Sequence, residues 1–326
     1  MMLTGAFANT LNLLSIAVLA FAVTSIVLSV AWFFVRPLLY KVTPTVQKTV
    51  LWTWVVIPWF TAMLSILAFM PSISGAITTS KLFVLAHWHH EDYFDLESWH
   101  GIALFTFSFL ILYALLKKVF SFWTQSLSVR KLLSLSSHTN HANNHGHNFV
   151  VIDSNIPAAF TTGIVRPECY LTSGLISKLS SKEQDIVIQH ELGHIERKDT
   201  LFKAMFSVFS AFYFLPVSKQ LYSTYCLATE TQADISACHY HHRLDVAQTL
   251  VKVSKIQRDF PFLKADLLIS NFGQTQIIYR VERLLEKEQE KAFPTFRFFF
   301  VVIVFTLFSI SSMDGLHHLF ELFFAH

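Results

Sequence analysis

The residues best able to do chemistry stand together at His190-Glu191-Leu192-Gly193-His194. On a helix, two imidazoles four residues apart lie one turn apart on one face, so both reach a single zinc ion. The carboxylate of Glu191, beside the first imidazole, can then take a proton from water activated by that ion. The pattern is short, and a third ligand gives it weight. Residues 227–238 read LATETQADISAC. Glu230 and Asp234 are spaced so that Glu230 can bind zinc while Asp234, one helical turn on, orients a ligating imidazole. The competing reading, two solvated helix carboxylates, is disfavoured by the apolar and small residues around them.

These groups need a frame to hold them. Ser180 and Ser181 precede Glu183 and Gln184 at the three-residue offset of a capping box, which predicts a helix start. Ile188, Leu192 and Ile195 supply its buried face, and the helix should run to about Lys198. Upstream, residues 148–152, 159–163 and 169–172 read as short strands punctuated by Gly163 and Pro167. The His/Asn/Ser-rich stretch 134–148, with His138, His141, His145 and His147, reads as a flexible loop. Downstream, residues 277–291 predict a helix with Ile277, Val281, Leu284 and Leu285 on one face, and Arg280 and Arg283 are expected to be structural there.

The 326 residues are 53% hydrophobic and only 14% charged, against about 25% charged in ordinary soluble proteins. No charge occurs from residue 1 to 35 or from 49 to 80, which excludes a soluble cytosolic enzyme. Four spans are expected, at about 11–35, 50–72, 98–116 and 298–313. Arg36, Lys41 and Lys48 follow the first span and Lys117, Lys118, Arg130 and Lys131 the third, whereas Glu91, Asp92, Asp95 and Glu97 crowd the second connection. The positive-inside rule then places the N-terminus and the C-terminal tail outside, with the long segment 117–297 in the cytoplasm. That segment is basic, which fits anionic lipid headgroups better than nucleic acid. The expected organisation is a three-helix membrane region (1–116), a cytoplasmic metalloprotease domain (117–297), and a fourth span with a short external tail (298–326). The apolar N-terminus is too long for the core of a cleavable signal and reads as a retained span. Cys169, Cys226 and Cys238 are too few and too far apart for a disulfide framework or a thiolate zinc site. Residues 201–217 are apolar enough to tempt a further span, but one crossing there would put Glu230 across the bilayer from His190 and His194. That stretch must therefore be interfacial, re-entrant or packed on the catalytic domain.

The run from Pro157 to Asp199 resembles the catalytic core of BlaR/MecR-type antirepressor membrane metallopeptidases. The matching features are Gly163, Arg166 and Pro167, the His-Glu-Leu-x-His helix, the following Ile195, Arg197, Lys198 and Asp199, and the nearby Glu230 to Asp234. The resemblance implies an α-helical multi-pass membrane protein with an inserted α+β zincin-like cytoplasmic domain in the inner (cytoplasmic) membrane. It implies Zn2+ on His190, His194 and Glu230, with Glu191 as general base and Asp234 behind the ligands. It also implies cleavage of a cytosolic protein, such as a winged-helix repressor, with self-cleavage. Only about a dozen residues follow Met313, and no extracellular Ser-x-x-Lys acylation motif occurs, so β-lactam sensing has no support. HtpX-type quality-control proteases share the zinc motif and are the alternative family; a catalytically silent receptor is a third reading, which the intact Glu191 opposes. His87, His89, His90 and His100 among the outer acids could sense a transition metal, but their irregular spacing favours a solvated loop.

Overall fold

The computed structural model describes residues 2–69, 93–135, 139–144, 147–163, 166–258 and 274–286, with residues 300, 303–304 and 306–309. The chain is mostly helical. Helices α1 (Ala6–Leu39) and α2 (Pro44–Ala68) form an antiparallel pair, and α3 (Trp99–Leu135) packs beside α1. Three helical stretches are long and apolar enough to cross a membrane: Ala6–Leu39, Pro44–Ala68 and Trp99–Ser121. Of the fourth expected span, residues 300, 303–304 and 306–309 are described, mostly as helix, and the remainder lies outside the described residues. At the far end of α1, β1 (Met2–Thr4) pairs with β2 (Tyr93–Asp95), which closes the bundle there.

A four-stranded sheet follows, built from β3 (Thr139–Asn144), β4 (His147–Ile152), β5 (Ala159–Thr162) and β6 (Glu168–Thr172) in the order β3-β4-β6-β5. The expected loop at 134–148 is corrected: α3 extends to Leu135, and Thr139–Asn144 pair antiparallel with β4. Polar composition argued for a loop, but β4 is held parallel by β6 and offers its other edge to whatever chain lies beside it. His138 and His145 lie outside the described residues, as do His87, His89 and His90. At Gly163 the backbone has φ +109°, and a Cβ would run into the Arg166 carbonyl, so only glycine fits this turn between β5 and β6.

After the short α4 (Ser173–Ile176) comes α5 (Ser181–Glu196). Its capping box forms as expected: the Glu183 amide donates to Ser180 Oγ at 3.4 Å and the Ser180 amide donates to Glu183 Oε2 at 2.7 Å. Lys198, at φ 52°, reverses the chain into α6 (Asp199–Ser210), and α7 (Leu215–Ala237) returns from it. Residues 201–217 thus make a helical hairpin with its turn at 211–214 and do not cross in one pass. The hairpin packs along the spans: Phe212 meets Phe21 of α1 and Trp59 of α2, with ring centroids 5.9 and 5.2 Å apart. Phe206 stacks on Tyr225 at 4.2 Å, and Trp52 Nε1 donates to the Tyr225 hydroxyl. Trp32, Leu51, Trp54, Val217 and Leu221 complete this core, which between apolar helices is held by close packing and hydrogen bonds rather than by transfer from water. Helices α8 (Arg243–Arg258) and α9 (Gln274–Leu285) cover the outer side of α5 and α7. The helix expected at 277–291 starts three residues earlier; residues 287–291 lie outside the described residues.

Candidate metal centre

Helices α5 and α7 cross at Gly193. A Cβ there would stand 3.0 Å from Cβ of Ser236, so glycine lets α7 come close enough to bring Glu230 to the histidines. The imidazoles of His190 and His194 lie edge to face, with centroids 4.9 Å apart. His190 Nε2 is 3.5 Å from Glu230 Oε2, and His194 Nε2 is 3.5 Å from Glu230 Oε1. One ligand atom from each residue lies within 4.8 Å of the others, so the group can hold a metal ion. In a tetrahedron with bonds of about 2.0–2.1 Å, ligand atoms are about 3.4 Å apart, close to the two separations of 3.5 Å. The donor chemistry fits zinc, and each imidazole separately stands near tetrahedral spacing from one Glu230 oxygen.

The remaining imidazole nitrogens are tied down. His190 Nδ1 lies 3.0 Å from Asp234 Oδ1, and His194 Nδ1 donates to Asp199 Oδ2 at 2.8 Å. A carboxylate only accepts, so Nδ1 of each ring carries a proton and Nε2 is the atom turned to the ligand cluster, whose lone pair a metal takes once Nε2 has lost its proton. The structure thus brings four of the five residues singled out from the sequence, His190, His194, Glu230 and Asp234, into direct contact, and Glu191 stands beside them on α5 with its carboxylate bonded to the sheet. It is buried, and its Oε2 accepts from Thr161 Oγ1 of β5 at 2.8 Å.

Cations balance these acids. Arg280 of α9 grips Asp234 with two hydrogen bonds of 2.7 Å and approaches Glu230 Oε2 at 3.6 Å. Lys203 of α6 donates to Glu230 Oε1 at 2.9 Å. Arg197 and Lys48 reach Asp199 at 3.2 Å each. Burial alone would raise the pKa of Glu230, but Lys203 and the two histidines pull it well below the usual carboxylate range. Asp234 is lowered against its burial by Arg280 and then His190, and Asp199 is lowered by His194 and the nearby cations. Lys203 is raised by Glu230 in spite of burial.

The matching family model is peptidase family M48, over residues 125–288. The chain belongs to peptidase family M48. No curated protein matches the chain. Membership establishes the metallopeptidase class that the resemblance implied, while the BlaR/MecR type is narrower than the match. In this M48 peptidase, sequence reasoning missed Asp199, Lys203, Thr161 and Lys48 as partners of the site and assigned Arg280 to helix packing alone. Asp199 stands in the Ile-x-Arg-Lys-Asp run, so its position was visible and its role was not. The others carry no local signal, because each arrives from a different element. His241 Nε2 is bound to Asp185 at 2.8 Å, and His242 Nδ1 accepts from the Leu244 amide at the start of α8. Both histidines have structural partners away from the ligand cluster.

Proposed function

We propose that this M48 member is a zinc metalloendopeptidase working at the cytoplasmic face of the inner membrane. One observation carries the reading: two imidazoles, each held by a carboxylate at Nδ1, turn Nε2 towards Glu230 at 3.5 Å. His190, His194 and Glu230 would hold the ion, with Asp234 and Asp199 orienting the imidazoles. Zinc bound there supplies Lewis acidity, which acidifies water and polarises a scissile carbonyl. Glu191 acts as general base, taking the proton from water and passing it to the leaving amine. Thr161 Oγ1 donates to the Glu191 carboxylate and orients it. Among the described strands β5 ends the sheet order, and an extended substrate backbone is proposed to add along it as a further strand.

For orientation, the basic residues around the α1–α2 turn and after the third span support a cytoplasmic catalytic side. The substrate is proposed as a cytosolic protein, such as a winged-helix repressor, on the ground of the short segment between His194 and Glu230. The family match supports an HtpX-like quality-control protease equally well. The experiment compares cleaved proteins in cells carrying the wild type or Glu191→Ala, with zinc measured in both purified proteins. Glu191→Ala is expected to keep one zinc and to lose cleavage by about a hundredfold or more; undiminished cleavage refutes the assignment. Loss of one repressor's fragments supports the signalling reading, and loss of fragments from many misfolded membrane proteins supports the quality-control reading.

A further inference from the structure

We propose that Lys48, on the membrane-spanning helix α2, is a positioning residue of the metal centre: it fixes Asp199, which in turn aims His194 at the ion. The centre is then shared between the spans and the catalytic segment. This inference rests on His190, His194 and Glu230 being the metal ligands.

Lys48 is the one charged residue in α2, and a charge at the end of an apolar span is retained at a cost that a defined partner must offset. Its partners are defined. Nζ donates to Asp199 Oδ1 at 3.2 Å and to Gln232 Oε1 at 3.0 Å, and lies 6.0 Å from the centre of the Tyr225 ring. The side chain is 16% exposed and that of Asp199 only 2%. Asp199 is held through both oxygens: Oδ2 accepts from His194 Nδ1 and from Arg197, and Oδ1 faces Lys48. With both oxygens engaged the carboxylate cannot rotate, so the plane and tautomer of His194 are set. Removing Lys48 frees one side of a buried carboxylate and takes away a counter-charge.

The second contact makes the arrangement more than an anchor. Gln232 lies on α7 between Glu230 and Asp234, so one ammonium ties α2 to the base of both arms of the hairpin. Anchoring alone is already supplied by Trp52 and Trp54 of the same helix, which pack on α7 and α1. The neighbouring Gln47 reaches the other half of the centre: its Nε2 lies 3.1 Å from the hydroxyl of Tyr279, next to the Arg280 that grips Asp234. One turn of α2 thus contacts Asp199 behind His194 directly and α9, the helix that carries Arg280, through Tyr279.

The test uses the full chain in nanodiscs, with zinc affinity measured by chelator competition and Co2+ absorption as a report on ligand geometry. Wild type should bind one equivalent that His190→Ala abolishes; no such equivalent overturns the ligand assignment and this inference with it. Lys48→Met should weaken zinc binding about tenfold to a hundredfold and alter the Co2+ spectrum. Lys48→Arg should restore most of the affinity, and Thr53→Ala, on the same helix, should change neither readout. If Lys48→Met does not fold, Lys48→Gln is read in its place. Unchanged affinity in the Lys48 variant, with the wild-type site intact, overturns the inference and spares the ligand assignment. A loss that Lys48→Arg does not rescue also overturns it, because that marks a purely structural role.

Discussion

At the residue scale, the decisive feature is that each group of the candidate metal cluster is held by a second group. His190 shows what this does to a proton. Burial lowers its pKa, but hydrogen bonds to Asp234 and Glu230 outweigh burial and raise it from 6.5 to about 9. In the metal-free chain, the stability this histidine contributes is full below its unfolded pKa of about 6.5 and is lost as pH rises through about 9. Asp199 and Asp234, whose pKa values are lowered, contribute stability that is lost as pH falls below about 4. Protons and zinc compete for Nε2 of His190, so the apparent dissociation constant for zinc should increase about tenfold per unit as pH drops from 9 to 7. Isothermal titration across that range checks it; a flat profile would show that His190 is not protonated there in the metal-free chain.

At the scale of elements, the site depends on how closely α5 and α7 approach. Gly193 sits in the interior of α5, where alanine would be favoured by about 1 kcal/mol on helix propensity. A methyl group at that position would press on Cβ of Ser236 at 3.0 Å and on the Arg197 guanidinium at 3.2 Å. Serine Cβ is fixed to the backbone of α7, so the helix has to move, and overpacking of this kind costs about 1–3 kcal/mol. Gly193→Ala is therefore expected to keep helical content while weakening zinc binding about tenfold or more through displaced Glu230. Circular dichroism with zinc competition measures both; unaltered affinity would show that the crossing has slack. The α5 helix itself was legible in the sequence, down to its capping box, because capping and periodicity are local. Helix α9 was legible as a helix, but the reach of Arg280 to Asp234 was not, since it depends on a packing contact 46 residues away.

For the whole molecule, the α6–α7 hairpin joins the candidate metal-binding residues to the apolar helices. Its arms are short, α6 being about 18 Å long at 1.5 Å per residue, and its turn lies against Phe21 and Trp59, inside α1 and α2. Phe214 and Leu215 at that turn are 72% and 64% exposed, a state that fits lipid better than water. An environment-sensitive fluorophore at position 214 should show blue-shifted emission and weak quenching by aqueous iodide in liposomes, while one at Glu196 should be readily quenched. Equal quenching at the two positions would place the hairpin in water.

The sequence by itself determined the apolar helices, the helix carrying His190 and His194, and the residues suited to bind zinc, since charge-free runs, capping and four-residue spacing are written within short windows. It also set a condition: if His190, His194 and Glu230 share one ion, residues 201–217 do not cross the bilayer once, because one ion cannot be shared across a membrane. Only the tertiary structure decided how that condition is met, by a turn at 211–214, and which groups hold the ligands. Asp199, Lys203, Arg280 and Lys48 come from three helices, and what unites them is burial: carboxylates removed from water must find cations wherever the fold brings them. No local pattern encodes that pairing.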